Sequence, residues 1–188
     1  MDALLASFVA AALGEWGDKT QLLVIALAVR YRRPRPILAG IFVAALANSL
    51  IAAFGGAFVH AMVTPRAASL LVAVALLFAG VAGLIRPRPY RSAGTSRAGP
   101  FLVAAAAFFV LEFGDKTQFL TFAFAAQFNA FALAAAGATA GVMASSLPAA
   151  LLGDRLAAAV PLKPVRIGLG LLFLLIGLVV AVNARRLV

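Results

Sequence analysis

Apolar positions gather into six long runs, at about residues 3–29, 37–60, 67–85, 100–126, 130–153 and 164–184. A helix needs roughly 20 apolar residues to cross about 30 Å of hydrocarbon, and each run is long enough. The breaks between them are RYRRPRP at 30–36, TPR at 64–66, RPRPYRSAGTSRAGP at 86–100 and a segment from Asp154 to Pro164. Arg and Pro punctuate them, and only the third reads as a linker. The first run lacks a basic leader and contains acidic residues, so it reads as a retained spanning helix rather than a signal peptide. The pattern predicts an all-α integral membrane protein with six transmembrane helices.

Composition removes several function classes. Of 188 residues, 64% are hydrophobic and six are acidic, too apolar a balance for a soluble domain. There is no cysteine, hence no disulfide framework, thiolate metal site or cysteine nucleophile. The formal charge of +10 sits in clusters between apolar runs, which suits loops facing the cytoplasm and anionic lipid heads rather than a nucleic-acid partner. Loops one, three and five hold Arg30, Arg32, Arg33, Arg35, Arg86, Arg88, Arg91, Arg97, Arg155, Lys163 and Arg166; the opposite side holds only Arg66, Arg185 and Arg186. This bias places the odd loops in the cytoplasm and both termini outside it.

Charge inside the apolar runs changes the picture. EWGDKTQ at 15–21 recurs as EFGDKTQ at 112–118. An offset of 97 superimposes Glu15 on Glu112, Asp18 on Asp115, Gly40 on Gly137, Ser49 on Ser146, Gly56 on Gly153 and Gly80 on Gly177 without a gap. The chain therefore reads as a tandem duplication: a three-helix repeat at 1–86, a cytoplasmic linker at 87–99 and a second three-helix repeat at 100–188. Three spans are an odd number, so the second copy enters from the other side. The result is an inverted-topology repeat, a transporter architecture with its site expected near the midplane.

On a helix, Glu15 and Asp18 share one face, about 4.5 Å apart along the axis, and Glu112 and Asp115 do the same. Inversion would bring the four carboxylates together near the bilayer centre as an oxygen-rich cage. Such a cage suits Mn²⁺, Ca²⁺ or Mg²⁺, whereas Zn²⁺ or Cu⁺ calls for the His and Cys ligands missing here. Thr20, Gln21, Thr117, Gln118, Asn48, Ser49, Ser145 and Ser146 are supporting candidates, for ligand duty or for hydrogen bonds between helices. Gly17 and Gly114 permit close approach or local unwinding. Lys19 stands four residues from Glu15, and Lys116 four from Glu112, within pairing distance on a helix. Four carboxylates and two ammonium groups leave a charge of minus two, which one divalent cation or two protons would neutralise. Competition between them is the basis of antiport.

Two other readings compete. The charged groups could be a structural clasp in a non-transporting membrane scaffold, although ionisable groups within the membrane are functional candidates by default. An intramembrane aspartyl protease is disfavoured because a Lys follows each Asp, and no Ser-His or Cys-His arrangement exists. Met143 reads as packing and His60 as an interfacial residue.

The paired E-x-G-D-K-T motifs, one in each three-span half, resemble the Gdt-type cation/proton exchangers, which include Golgi Ca²⁺ and Mn²⁺ transporters and bacterial manganese exporters. The likeness covers essentially the whole chain. By it, Glu15, Gly17, Asp18, Lys19 and Thr20 match the first motif and Glu112, Gly114, Asp115, Lys116 and Thr117 the second. The resemblance implies export of Mn²⁺, or Ca²⁺, against protons, without a resident cofactor. The compact chain looks like a member from the bacterial plasma membrane. Oligomeric state is not legible.

Overall fold

The computed structural model describes residues 1–86 and 98–185, and among these every regular element is helical. In chain order they are α1 (Asp2–Gly14), α2 (Lys19–Tyr31), α3 (Pro34–His60), α4 (Pro65–Leu84), α5 (Pro100–Glu112), α6 (Lys116–Phe128), α7 (Phe131–Leu152), α8 (Asp154–Ala159) and α9 (Leu162–Ala184). Four of them, α3, α4, α7 and α9, are long and apolar enough to cross a membrane. The predicted linker 87–99 lies outside the described residues except for its last two positions, as does the C-terminal tail from Arg186.

Apolar runs one and four are not continuous helices. Each is divided at its motif into two helices of 13 residues, α1 and α2 in one, α5 and α6 in the other. A helix of that length is about 20 Å long, too short to cross alone. The segment after Gly153, read from its punctuation as a loop, contains the short helix α8.

The duplication is visible residue by residue. α2 and α6 start at Lys19 and Lys116, α3 and α7 at Pro34 and Phe131, α4 and α9 at Pro65 and Leu162, each pair 97 positions apart. Even the left-handed residues that end α2 and α6, Arg32 at φ 51° and Asn129 at φ 48°, keep that offset.

The two halves clasp each other reciprocally. α5 packs along α3 and α1 along α7, while α4 lies against α9. At the first crossing, a Cβ on Gly40 would stand 2.4 Å from the Phe101 carbonyl oxygen; at the second, a Cβ on Gly137 would stand 2.2 Å from that of Leu4. The pairs are equivalent by the 97-residue offset, and so are Gly80 against Leu174 and Gly177 against Leu77. Small residues do the joining because lipid tails are as apolar as leucine, so helix association in a membrane rests on close backbone approach. The outer faces keep large apolar side chains, such as Phe54, Leu171, Leu175 and Val179, exposed to the surroundings.

Gly40→Ala and Gly137→Ala should therefore each destabilise the fold by roughly 1–3 kcal/mol, the cost of overpacking a close crossing. Gly168→Ala, where a Cβ meets nothing within 4 Å, should be neutral or slightly stabilising. Thermal unfolding in detergent measures all three; equal midpoints would show that the crossings are loose.

Candidate metal and proton site

The motif breaks the helix because of its glycine. Glu15 caps the end of α1, Gly17 takes φ 73°, and Asp18 is the extended residue that starts α2; Gly114 repeats this at φ 74° between Glu112 and Asp115. Only glycine adopts that conformation without steric cost. The break leaves backbone N–H groups without their helical carbonyls, which is expensive where no water can reach. Gln21 Oε1 accepts from the Gly17 N–H at 2.8 Å, and Gln118 Oε1 from the Gly114 N–H at 2.6 Å. The same two amides donate to the other half of the chain, Gln21 to the Ser145 carbonyl and Gln118 to the Asn48 carbonyl, both at 3.3 Å. The glutamines thus brace the breaks and tie each to the opposite half.

The ion pairs also cross between halves. Lys116 contacts Asp18 Oδ2, and Lys19 Nζ lies 3.1 Å from Asp115 Oδ1. Lys116 Nζ is also 3.7 Å from Asp115 Oδ2. This corrects the expectation from a continuous helix, in which Lys19 would pair with Glu15 and Lys116 with Glu112: the break turns each lysine toward the aspartate of the other motif. The two pairs are unequal, since the Lys116 side chain is 5% exposed and that of Lys19 31%.

The glutamates are buried and differ more sharply. Glu15 accepts from both threonine hydroxyls, Thr20 onto Oε2 and Thr117 onto Oε1 at 2.6 Å. Thr117 adjoins Glu112 as well, but its one proton is committed to Glu15. Both oxygens of Glu112 are left without a hydrogen-bond partner among the described residues, as are Asn48 Oδ1 and Asp115 Oδ2. Glu112, Asn48, Ser49, Thr117, Gln118 and Thr121 line one cavity of about 10 Å³, near the size that holds a single water. Glu112 also lies close enough to Glu15 and Asp115 to feel their charge. Among the described residues, no three acidic or histidine side chains are gathered closely enough to hold a metal, so the four-carboxylate cage expected from the sequence is not assembled here; Lys116 lies between Asp18 and Asp115.

Helix ends add to the electrostatics. Asp18 and Asp115 occupy the N-termini of α2 and α6, where partial positive charge favours an anion. Glu15 and Glu112 stand at the C-terminal ends of α1 and α5, where partial negative charge favours a cation beside them.

The supporting residues divide. Asn48, which lines the Glu112 cavity, donates to the Phe109 carbonyl at 3.2 Å and has no hydrogen-bond partner for its Oδ1 among the described residues. Ser145 spends its proton on the Val142 carbonyl at 2.9 Å, the common use of a serine within a helix. Ser49 shares the cavity with Asn48, and Ser146 is simply buried. His60 joins α3 to the end of α6 through the Ala126 carbonyl at 2.6 Å, in keeping with a non-ligand role. Thr121 and Arg166 were not singled out by sequence. Their equivalents 97 residues earlier are Val24 and Ser69, so the repeat gave no signal, and Arg166 had been grouped with the basic loops.

The family described as "Divalent cation/proton antiporter GDT1" matches residues 3–89 and 100–187, and the chain belongs to that family. A protein of Vibrio cholerae serotype O1 bearing the description "Putative manganese exporter" is 42% identical over 121 residues, 64% of this chain and 60% of the relative. The match thus spans less than two thirds of that relative's length. No solved structure matches. The chain is a multi-pass membrane protein of a transporter family.

The unequal lysines should respond unequally to removal. Lys116→Ala removes the buried member of its pair, leaves the mostly covered Asp18 without its partner and should cost about 3 kcal/mol or more. Lys19→Ala opens a partly exposed pair and should cost at most about 1 kcal/mol. Thermal unfolding of cation-free protein in detergent tests this; equal losses would contradict the asymmetry.

Proposed function

We propose that this antiporter-family protein exports Mn²⁺, or alternatively Ca²⁺, from a bacterial cytoplasm in exchange for external protons. The observation that carries the reading is a set of buried oxygens without hydrogen-bond donors, both of Glu112 and Asn48 Oδ1, beside an Asp115 Oδ2 that has only the Lys116 ammonium 3.7 Å away. Acceptors lacking donors are costly to bury, and a hard cation or protons would satisfy them. Glu15, Asp18, Glu112 and Asp115 are the ligands, Asn48 and the threonine hydroxyls the nearest neutral oxygens. The two lysines hold the aspartates while the cation is away and must withdraw when it arrives. With both lysines charged, four carboxylates carry two negative charges in excess, matched by one divalent cation or two protons. Because both occupy the same oxygens, loading one expels the other.

The membrane arrangement supporting this cycle is six crossings in two inverted repeats, 1–86 and 100–188. α1–α2 and α5–α6 each cross once as broken helices. Half-helix ends meeting at mid-membrane are how such transporters expose backbone dipoles to an ion. The basic loops and the linker 87–99 then face the cytoplasm and anionic lipid, and both termini lie outside.

A second reading, a non-transporting scaffold held by intramembrane ion pairs, is favoured by the two Asp–Lys contacts between halves. It has no use for Glu112, whose burial without a partner weakens the fold.

Asp18→Asn and Asp115→Asn should each reduce export by at least about 100-fold, since each removes a ligand charge at nearly constant volume; a loss of that size corresponds to ~2.7 kcal/mol. The assay is Mn²⁺-driven proton flux in proteoliposomes. No flux from the parent protein selects the scaffold, and full flux in both variants removes these carboxylates from the mechanism. Topology is tested separately by a reporter fused after Val188, expected to be active only on the external side.

A further inference from the structure

The two motif turns have nearly the same backbone at their glycine and aspartate and unlike surroundings. A Cβ on Gly17 would stand 2.6 Å from the Leu162 carbonyl oxygen and 2.9 Å from Arg166 Cβ, whereas a Cβ on Gly114 meets nothing within 4 Å. The first turn is therefore roofed by the start of α9, and the second is uncovered by the equivalent start of α4. The cavities follow suit. One of about 500 Å³ reaches Asp115 directly, walled by Ile51, Phe78, Phe113 and Phe119. On the other side, a cavity of about 620 Å³, lined by Leu22, Leu84, Lys163 and Arg166, reaches Gly17 and does not include Asp18. Asp18 and Lys116 lie in a separate chamber of about 10 Å³, shared with Ala79, Gly83 and again Arg166.

Arg166 is thus common to both compartments and forms the wall between them. Its residue is buried, and its guanidinium donates to the carbonyl of Ile85, the residue that caps α4. That contact ties the first turn of α9 to the end of α4, where a cation complements the helix dipole. The equivalent position in the first half is Ser69, whose hydroxyl bonds to the Pro65 carbonyl of its own helix and to Gln127 Oε1. The wall exists on one side only.

We propose that Arg166 is a latch that closes the α9-side pathway to Asp18, and that releasing it from the Ile85 carbonyl joins the vestibule to the chamber. Arg166 touches no transported ion; it is a positioning residue, and the proposal rests on the exchange reading above only in that Asp18 is a destination for the cation. A lysine could supply the charge but not the forked, planar head that caps a carbonyl while filling the partition.

The chain contains no cysteine, so single thiols report access cleanly. Ala79→Cys places one in the chamber, where the residue is 1% exposed, and Leu84→Cys one on the vestibule wall, where it is 42% exposed. A membrane-impermeant methanethiosulfonate applied to vesicles from the side on which α9 begins should label the vestibule and chamber thiols differently: L84C quickly, A79C slowly. Adding Arg166→Ala should speed A79C labelling at least about tenfold, the effect of losing one buried charge-assisted hydrogen bond from the closed state, and leave L84C unchanged. Gly17→Ala, which wedges α9 away by pressing on the Leu162 carbonyl and Arg166 Cβ while keeping the guanidinium, should give the same acceleration; Gly114→Ala, at a similar positive φ and with no neighbour, should not. An A79C rate indifferent to both Arg166→Ala and Gly17→Ala overturns the latch, as does equal acceleration of L84C, which would report general loosening. Mn²⁺-driven proton flux in the cysteine-free parent is read independently: its absence would remove the exchange reading while leaving the labelling result to decide the latch.

Discussion

Everything at the centre of this protein follows from breaking a helix where water cannot repair the break. Glycine at positive φ opens the turn, and the freed N–H of each glycine must then find an acceptor within the protein. Gln21 and Gln118 supply it, and their amide nitrogens reach carbonyls of the opposite half. The residue that makes the break tolerable thus also joins the repeats. The rotation imposed by the turn sends each lysine to the other motif's aspartate and leaves each glutamate at a helix C-terminus.

Packing around the break is subject to the same constraint. Half-helices of 13 residues cannot hold position by themselves, so each is laid against a long helix of the other half. Gly40 and Gly137 let the backbones come close enough for dispersion to act along the crossing. Reciprocity has a limit at Gly56 and Gly153. A Cβ on Gly56 would be 2.1 Å from the Phe122 carbonyl oxygen, so that glycine is a packing residue within α3. Gly153, at φ 57°, ends α7 and admits α8.

Much of this was legible in sequence because charge in an apolar run is conspicuous and duplication doubles the signal. The offset of 97 gives the correspondence of residues, and the starts of α2 and α6, α3 and α7, and α4 and α9 keep it. The break itself was foreseen only as a property of Gly17 and Gly114, since spacing on an ideal helix gives Glu15–Lys19 neighbours and says nothing of a partner 97 positions away. Gln21 and Gln118 could be assigned only once the orphaned N–H groups were located. Thr121 and Arg166 were hidden for a different reason: a repeat reveals what the halves share, and these positions are where they differ.

Those differences matter because symmetry alone cannot select a state. Two identical halves related by a two-fold axis would have two equivalent asymmetric arrangements of equal free energy, populated equally without a ligand. The surroundings here are unequal although the motif backbones agree within about a degree of φ: one turn is roofed and one open, one lysine buried and one half-exposed, one glutamate doubly bonded and one without a donor. Substitutions that depart from the repeat, Arg166 for Ser69, Trp16 for Phe113 and Asn48 for Ser145, are the residues able to bias the choice. The bias must stay small. A preference of about 5.5 kcal/mol moves a two-state equilibrium from 1:99 to 99:1, so a stronger one would have to be repaid by the ion at every turnover. For the proposed latch and exchange, a single buried hydrogen bond from arginine to a helix-end carbonyl, worth roughly 1.5–3 kcal/mol, is of the right size: enough to favour one closed pathway, and little enough for the charge of an arriving divalent cation to overcome.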